Sequence, residues 1–220
     1  MLHVSLRRRV PRVTGTENRR RGASPLGEDE GMELFPGFGE CVPSRLFLTK
    51  GVGKHREKLA SYEAALRNAR IAQFNLVSVS SIFPPHAKQV SRRQGLKELK
   101  AGQIVYCVMS RNETNEPHRL IAASVGIALP RDPKRYGYLS EHHSFGQKER
   151  EAGDYAEDLA AQMLATISGV DFDPDKSYDE RKETWRISSE IYRTINVTQS
   201  AVGDKRGWWT TVVAAAVLIP

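Results

Sequence analysis

The stretch Val79-Ser80-Ser81-Ile82-Phe83-Pro84-Pro85 sets two adjacent hydroxyls between an apolar run and a diproline stop. On pattern alone it is a strand end closed by a Ser-Ser turn, because neither proline can donate to a ladder. The usual nucleophile and phosphate frames are missing: there is no G-x-S-x-G elbow, no P-loop and no G-x-G-x-x-G. Glu141-His142-His143 is the one histidine cluster. Adjacent histidines point apart on a strand, and the i, i+4 helical spacing of a zinc site is absent. That segment therefore predicts no metal centre, but a polar loop carrying one useful carboxylate, Glu141. Two cysteines, Cys41 and Cys107, give neither a disulfide framework nor a zinc pattern. Cys107 lies in the apolar run 104–109 and reads as a small buried hydrophobe, with a reducing compartment expected.

Positioning these groups falls to elements that the periodicities predict. A short strand is expected over 45–49, broken by Gly51 and Gly53. Leu59, Tyr62, Leu66 and Ala69 recur at helical spacing, which predicts an amphipathic helix over 55–69 with Glu63 in its middle. Residues 74–80 predict a strand. Phe74, Leu76, Ser78 and Ser80 would face one way, and Asn75, Val77, Val79 and Ser81 the other, so Asn75 and Ser81 share a face. Further strands are expected over 103–110, 120–129 and 136–140. Arg111-Asn-Glu-Thr-Asn-Glu-Pro117 is read as a polar turn between the first two. An Ala-rich helix is expected over 151–168, with Tyr155, Leu159 and Met163 on one face and Gly169 as its stop. Trp185, Ile187 and Ile191 alternate as in a strand, while Ile187, Ile191 and Ile195 fit a helix, so that segment stays open. A last buried strand is expected over 209–219, with Gly203-Asp-Lys-Arg-Gly207 closing a hairpin before it. Strands outnumber helices, and strand pairs separate the helices. The fold class is therefore α+β, a sandwich with antiparallel sheets inside and helices outside.

From about Val42 to the C-terminus the chain resembles the pyruvoyl-dependent arginine decarboxylase family. Five segments carry the resemblance, in order: Pro43-Ser-Arg-Leu-Phe-Leu-Thr-Lys-Gly51, Val79-Ser-Ser-Ile-Phe-Pro-Pro85, Arg111-Asn-Glu-Thr-Asn-Glu-Pro117, Tyr138-Leu-Ser-Glu-His-His143 and Trp209-Thr-Thr-Val-Val-Ala-Ala-Ala216. The resemblance implies a four-layer αββα sandwich and a proenzyme that cuts itself between Ser80 and Ser81. Serine suits this chemistry, because its hydroxyl reaches the preceding carbonyl and later leaves as part of an ester. Elimination and hydrolysis then turn Ser81 into a covalent pyruvoyl group. The implied reaction converts L-arginine to agmatine and carbon dioxide through a Schiff base on that group, which acts as the electron sink.

The same resemblance assigns roles by position. Glu141 is the general acid, and to carry a proton its carboxyl should be poorly solvated. Asn75 binds the pyruvoyl carbonyl or the oxyanion formed during cleavage. Glu63 receives the substrate guanidinium, as a carboxylate can in fork geometry, and Leu66, one turn on, lines the same pocket. Relatives are implied to be trimers of cleaved protomers with active sites between subunits, so Glu63 or Glu141 serves a neighbour's pyruvoyl.

Charge narrows the alternatives. The formal net charge is +7, but residues 1–23 hold seven arginines and a single acid, Glu17. Residues 24–220 are thus nearly neutral and carry no intrinsic field for nucleic acid. No apolar run is long enough to span a membrane. Residues 1–40 are rich in Arg, Gly and Pro without apolar periodicity. They are expected to be a disordered leader, with translation starting at Met32 and the enzyme domain filling 41–220 in the cytoplasm. Two rival readings remain: the same chemistry on another amino acid, and a non-processing scaffold or a nucleic-acid binder acting through the leader.

Overall fold

The computed structural model describes residues 42–169 and 191–220. The expectations for the leader 1–40, for Met32 and Cys41, and for Trp185 and Ile187 lie outside those residues. In chain order the elements are β1 (Arg45–His55), α1 (Lys58–Asn68), β2 (Asn75–Ser78), β3 (Ile82–Phe83), β4 (Lys88–Gln89) and α2 (Arg92–Leu96). Then come β5 (Ile104–Thr114), β6 (Leu120–Pro130), β7 (Gly137–Phe145), α3 (Glu149–Ile167), β8 (Ile191–Val202) and β9 (Trp209–Ile219).

Strand β1 runs straight through Gly51 and Gly53, where a break was expected. A Cβ on Gly51 would lie 2.2 Å from the Ala65 carbonyl oxygen, and one on Gly53 2.2 Å from that of Ser61. The glycines therefore mark the close approach of α1 to the strand and not its end.

Two sheets result. The first has the order β2-β5-β9-β1-β4 and the second β3-β7-β6-β8. The second is antiparallel throughout, and β9 is antiparallel to both β1 and β5. The edge strands β2 and β4 depart from the antiparallel expectation, since each lies parallel to its neighbour. Each is separated from that neighbour in sequence by connections that include a helix, which is what parallel pairing requires.

Between the sheets lies a core that includes Leu46, Val108, Val125, Leu139 and Ala214. On the outer side of the first sheet, Ala65 and Ala69 of α1 pack with Phe47, Val213 and Val217. On the outer side of the second, Ala160, Ala161 and Leu164 of α3 pack with Ala128. The layers are thus helix, sheet, sheet, helix, the αββα sandwich that the resemblance implied.

The buried face of α3 is Ala152, Ala156, Ala160 and Leu164, not the face of Tyr155, Leu159 and Met163, and Tyr155 is 44% exposed. A Cβ on Gly126 of β6 would lie 2.1 Å from the Ala156 carbonyl oxygen. Only small side chains let the helix come that close. Gly169 takes φ of 73° at the helix end, as expected of a stop. The linker 203–207 closes no hairpin. β8 pairs with β6 in one sheet, and β9 with β1 and β5 in the other. From Thr210 onward β9 is buried, as befits a central strand.

The turn expected at 111–117 is also displaced. β5 continues to Thr114, with Ser110, Asn112 and Thr114 buried on its inner face. Likewise Glu141-His142-His143 is strand and not loop. No helix among the described residues is long and apolar enough to cross a membrane.

Candidate active site

β2 lies against the start of β5. Asn75 donates from its main chain to the Gln103 carbonyl at 2.9 Å, and Val79 to that of Cys107 at 3.1 Å. There the chain leaves the first sheet. Leu139 of β7, in the second sheet, donates its main-chain N–H to the Ser81 carbonyl at 2.7 Å, and Ile82 pairs with Tyr138. The Ser80–Ser81 link is therefore the crossing from one sheet to the other. It is bent into a three-residue turn, in which the Ile82 N–H donates back to the Ser80 carbonyl at 3.0 Å. Ser80 is exposed and Ser81 half-buried. Val79, Ser80, Ile82, Pro84 and Tyr106 are among the residues lining a cavity of about 420 Å³ beside the crossing.

Glu141 reaches this point from β7. It lies two residues beyond Leu139, on the side of the strand that faces the first sheet. Its Oε1 accepts the main-chain N–H of Met109 at 3.1 Å. Met109 is the next residue on the β5 edge after Cys107, at the point where β2 has departed, so Glu141 takes the donor that a longer β2 would have used. Two further bonds hold β5 against β7: Ser110 Oγ donates to the His142 carbonyl at 2.6 Å, and Asn112 Nδ2 to that of Ser144 at 2.8 Å. These buried polar groups explain why both segments are strands despite their polarity. His142 turns the other way. Its Nε2 lies 2.8 Å from Gln147 Oε1, and its ring packs 4.4 Å from that of Tyr155 on α3.

Cys107 is fully buried, as its apolar run implied. Burial pushes its thiol up to about 11, and the charge of Glu141 adds to the effect. It is a protonated thiol at neutral pH and no nucleophile. Glu141 is exposed in the single chain, against the expectation of a poorly solvated carboxyl.

The remaining site residues sit elsewhere. Asn75 opens β2, and its Nδ2 donates to the Gly102 carbonyl at 2.7 Å. The regular alternation that was to carry it onto the face of Ser81 ends with β2 at Ser78, before the crossing turns the chain. Glu63 lies on the exposed side of α1, where Arg67 holds its carboxylate in a fork, with Nε to Oε1 at 3.0 Å and the second nitrogen on Oε2. It lines a groove of about 760 Å³ with Lys54, His55 and Arg67, a groove that does not include Ser81. Leu66 packs in the outer core beneath α1, with Ala65 and Phe74. Among the described residues no three His, Cys, Asp or Glu side chains gather as a metal would require. The main-chain N–H groups of Ile82 and Leu139, which hold the Ser80 and Ser81 carbonyls, and that of Met109, which holds Glu141, left no trace in the sequence reading, because every residue type here carries a main-chain N–H.

The sequence pattern of the family described as pyruvoyl-dependent arginine decarboxylase matches residues 45–220, which takes in every residue above. The chain belongs to the pyruvoyl-dependent arginine decarboxylase family. A probable pyruvoyl-dependent arginine decarboxylase of Chloroherpeton thalassium is 59% identical over 179 residues, covering 81% of this chain and 98% of that protein. A pyruvoyl-dependent arginine decarboxylase of Nitrosopumilus maritimus is 59% identical over 180 residues, 82% of this chain and 98% of the relative. A second such protein of Methanosarcina acetivorans is 55% identical over 178 residues, 81% and 97% of the two chains.

Proposed function

We propose that the chain is a proenzyme that cuts itself between Ser80 and Ser81 and then decarboxylates L-arginine to agmatine and carbon dioxide. One observation supports this above others. The Ser80–Ser81 link bridges two sheets, held by Val79 on one and by the Ser81 carbonyl on the other. In the cut, Ser81 Oγ bonds to the Ser80 carbonyl carbon, the C–N bond breaks, and the hydroxyl proton passes to the nitrogen. Elimination frees the Ser80 carboxylate and leaves dehydroalanine, and hydrolysis releases ammonia. The residues present fit the pyruvoyl group that results: its amide carbonyl would be the Ser81 carbonyl that Leu139 already holds. That group supplies an electron-poor ketone that takes up the substrate amine and the electrons left by carbon dioxide.

The chain's own residues do the rest. Glu141, fixed on the Met109 N–H, holds the proton destined for the carbon that lost carbon dioxide. Asn75 binds the carbonyl formed from Ser81. Glu63 takes the substrate guanidinium in the fork that Arg67 now fills, with Leu66 behind it. As the resemblance implies, three cleaved copies assemble, and since the groove of Glu63 does not include Ser81, Glu63 of one copy serves the site of another. A cytoplasmic location goes with the buried free thiol of Cys107. Nothing favours nucleic acid or a different amino acid.

The test is the mass of the purified protein alongside an agmatine assay. Two fragments meeting at residues 80 and 81, with agmatine formed, are expected. A whole chain that makes none overturns the proposal.

Two further results follow from the same reading. Glu63→Gln keeps the side chain but removes the charge that guanidinium needs. Its KM for arginine should rise roughly tenfold or more, with cleavage untouched. An unchanged KM in steady-state assays would return Glu63 to its helix pair with Arg67. Deleting residues 1–31 should leave both cleavage and turnover intact, since the family match begins at residue 45. Loss of soluble, cut protein on that deletion would make the leader part of the fold.

A further inference from the structure

We infer that the main-chain N–H of Ile82 is the oxyanion donor for the self-cleavage at Ser80–Ser81. The inference rests on the proposed cleavage and names the group that stabilises its first step. When Ser81 Oγ bonds to the Ser80 carbonyl carbon, the carbonyl electron pair moves onto the Ser80 oxygen. Collapse restores the carbonyl and breaks the C–N bond, and the nitrogen takes the proton that the hydroxyl gives up. A donor aimed at that oxygen stabilises the charge while it exists.

Ile82 already makes that bond, at 3.0 Å in the uncut chain. Its N–H is not spent on the sheet. Leu139 and Ser81 share a hydrogen-bonded rung, so the next pair, Ile82 with Tyr138, turns its amide away from β7. The donor is also held in place. Phe83 is only 6% exposed and sits in the core between the sheets, and Pro84 follows it. The second carbonyl flanking the nucleophile, that of Ser81, is fixed by Leu139 at 2.7 Å. Both carbonyls on either side of the Ser81 hydroxyl are therefore oriented by main-chain donors. The Asn75 amide gives one of its two N–H groups to the Gly102 carbonyl at 2.7 Å, while the Ile82 N–H is aimed at the Ser80 oxygen itself. The Ile82 side chain itself is 38% exposed.

The experiment replaces residue 82 of the full chain with the α-hydroxy acid matching isoleucine, which keeps the side chain and exchanges the N–H for an ester oxygen. The wild-type chain is followed beside it by mass spectrometry. The ester chain should cut more slowly by on the order of 10²–10³, the usual loss of one oxyanion donor. An ester chain that cuts at the wild-type rate overturns the inference while leaving self-cleavage standing. A wild-type chain that never cuts overturns the cleavage reading instead. Should the ester chain fail to fold, amide exchange on uncut Ser81→Ala decides: a protected Ile82 amide supports the bond, and exchange at the open-chain rate overturns it.

Discussion

Ser81→Ala should leave the chain whole. The alanine has no β-oxygen, so nothing at residue 81 can bond to the Ser80 carbonyl carbon or serve later as a leaving group. The loss is expected to be complete and not partial, because no other hydroxyl stands in that covalent relation to the bond. The fold should survive. Residue 81 is half-buried, and its recorded tie to β7 is the main-chain bond from Leu139 to its carbonyl, which alanine keeps. The variant should therefore purify as one uncut, folded chain that makes no agmatine. Ser80→Ala is the control: Ser80 lends the reaction only its carbonyl, so that chain should still cut. Intact-mass measurement reads both, and continued cutting at that bond in Ser81→Ala would sink the assignment of the nucleophile.

Glu141→Gln should part the two chemistries. The glutamine carbonyl can accept the Met109 N–H as Oε1 does, so the side chain should keep its place between β7 and β5. What it loses is the proton. Removing a general acid costs on the order of 10²–10⁴ in rate, so a cut, folded and nearly inactive protein is expected. Without timely protonation of the substrate carbon, the proton would go to the carbon of residue 81 instead, and water would then release the substrate carbon as an aldehyde and leave its nitrogen on residue 81. The fragment should then gain an alanine-like end during incubation with arginine, visible by mass. Decarboxylation at the normal rate would move the acid role to another residue. A Glu141→Gln chain that stays whole would give Glu141 a part in maturation as well.

Legibility in the sequence followed the apolar residues. Strand β9 coincides with the run 209–219, and of the α1 face read from spacing Tyr62, Leu66 and Ala69 pack inward while Leu59 is 77% exposed and the unread Ala65 is buried. The misreadings share one cause, polar or glycine residues performing interior work. Ser110, Asn112 and Thr114 are buried in a strand because their hydroxyls and amide find partners on neighbouring strands or in the turn beyond. Gly51, Gly53 and Gly126 are contact points for helices and not breaks. In the site, the serine pair and Glu141 could be found by family resemblance, and the structure brings them to one crossing. The fork between Arg67 and Glu63 is an i, i+4 pair within α1 that spacing alone could have shown, whereas the engagement of Asn75 with Gly102 and the main-chain donors depend on backbone geometry that no residue type encodes.

The position of the crossing has a consequence for how the mature protein holds together. A cut there yields one piece carrying β1, α1 and β2, and another carrying every later element. The short piece is woven into the first sheet: β1 lies between β9 and β4, and is paired with β9 from Arg45–Ile219 to His55–Trp209. It cannot drift off without tearing out a central strand. Maturation would thus turn a single chain into a two-piece assembly whose recovery, once unfolded, depends on the concentration of both pieces. Its lifetime would then be governed by how slowly it opens and no longer by how readily it folds again.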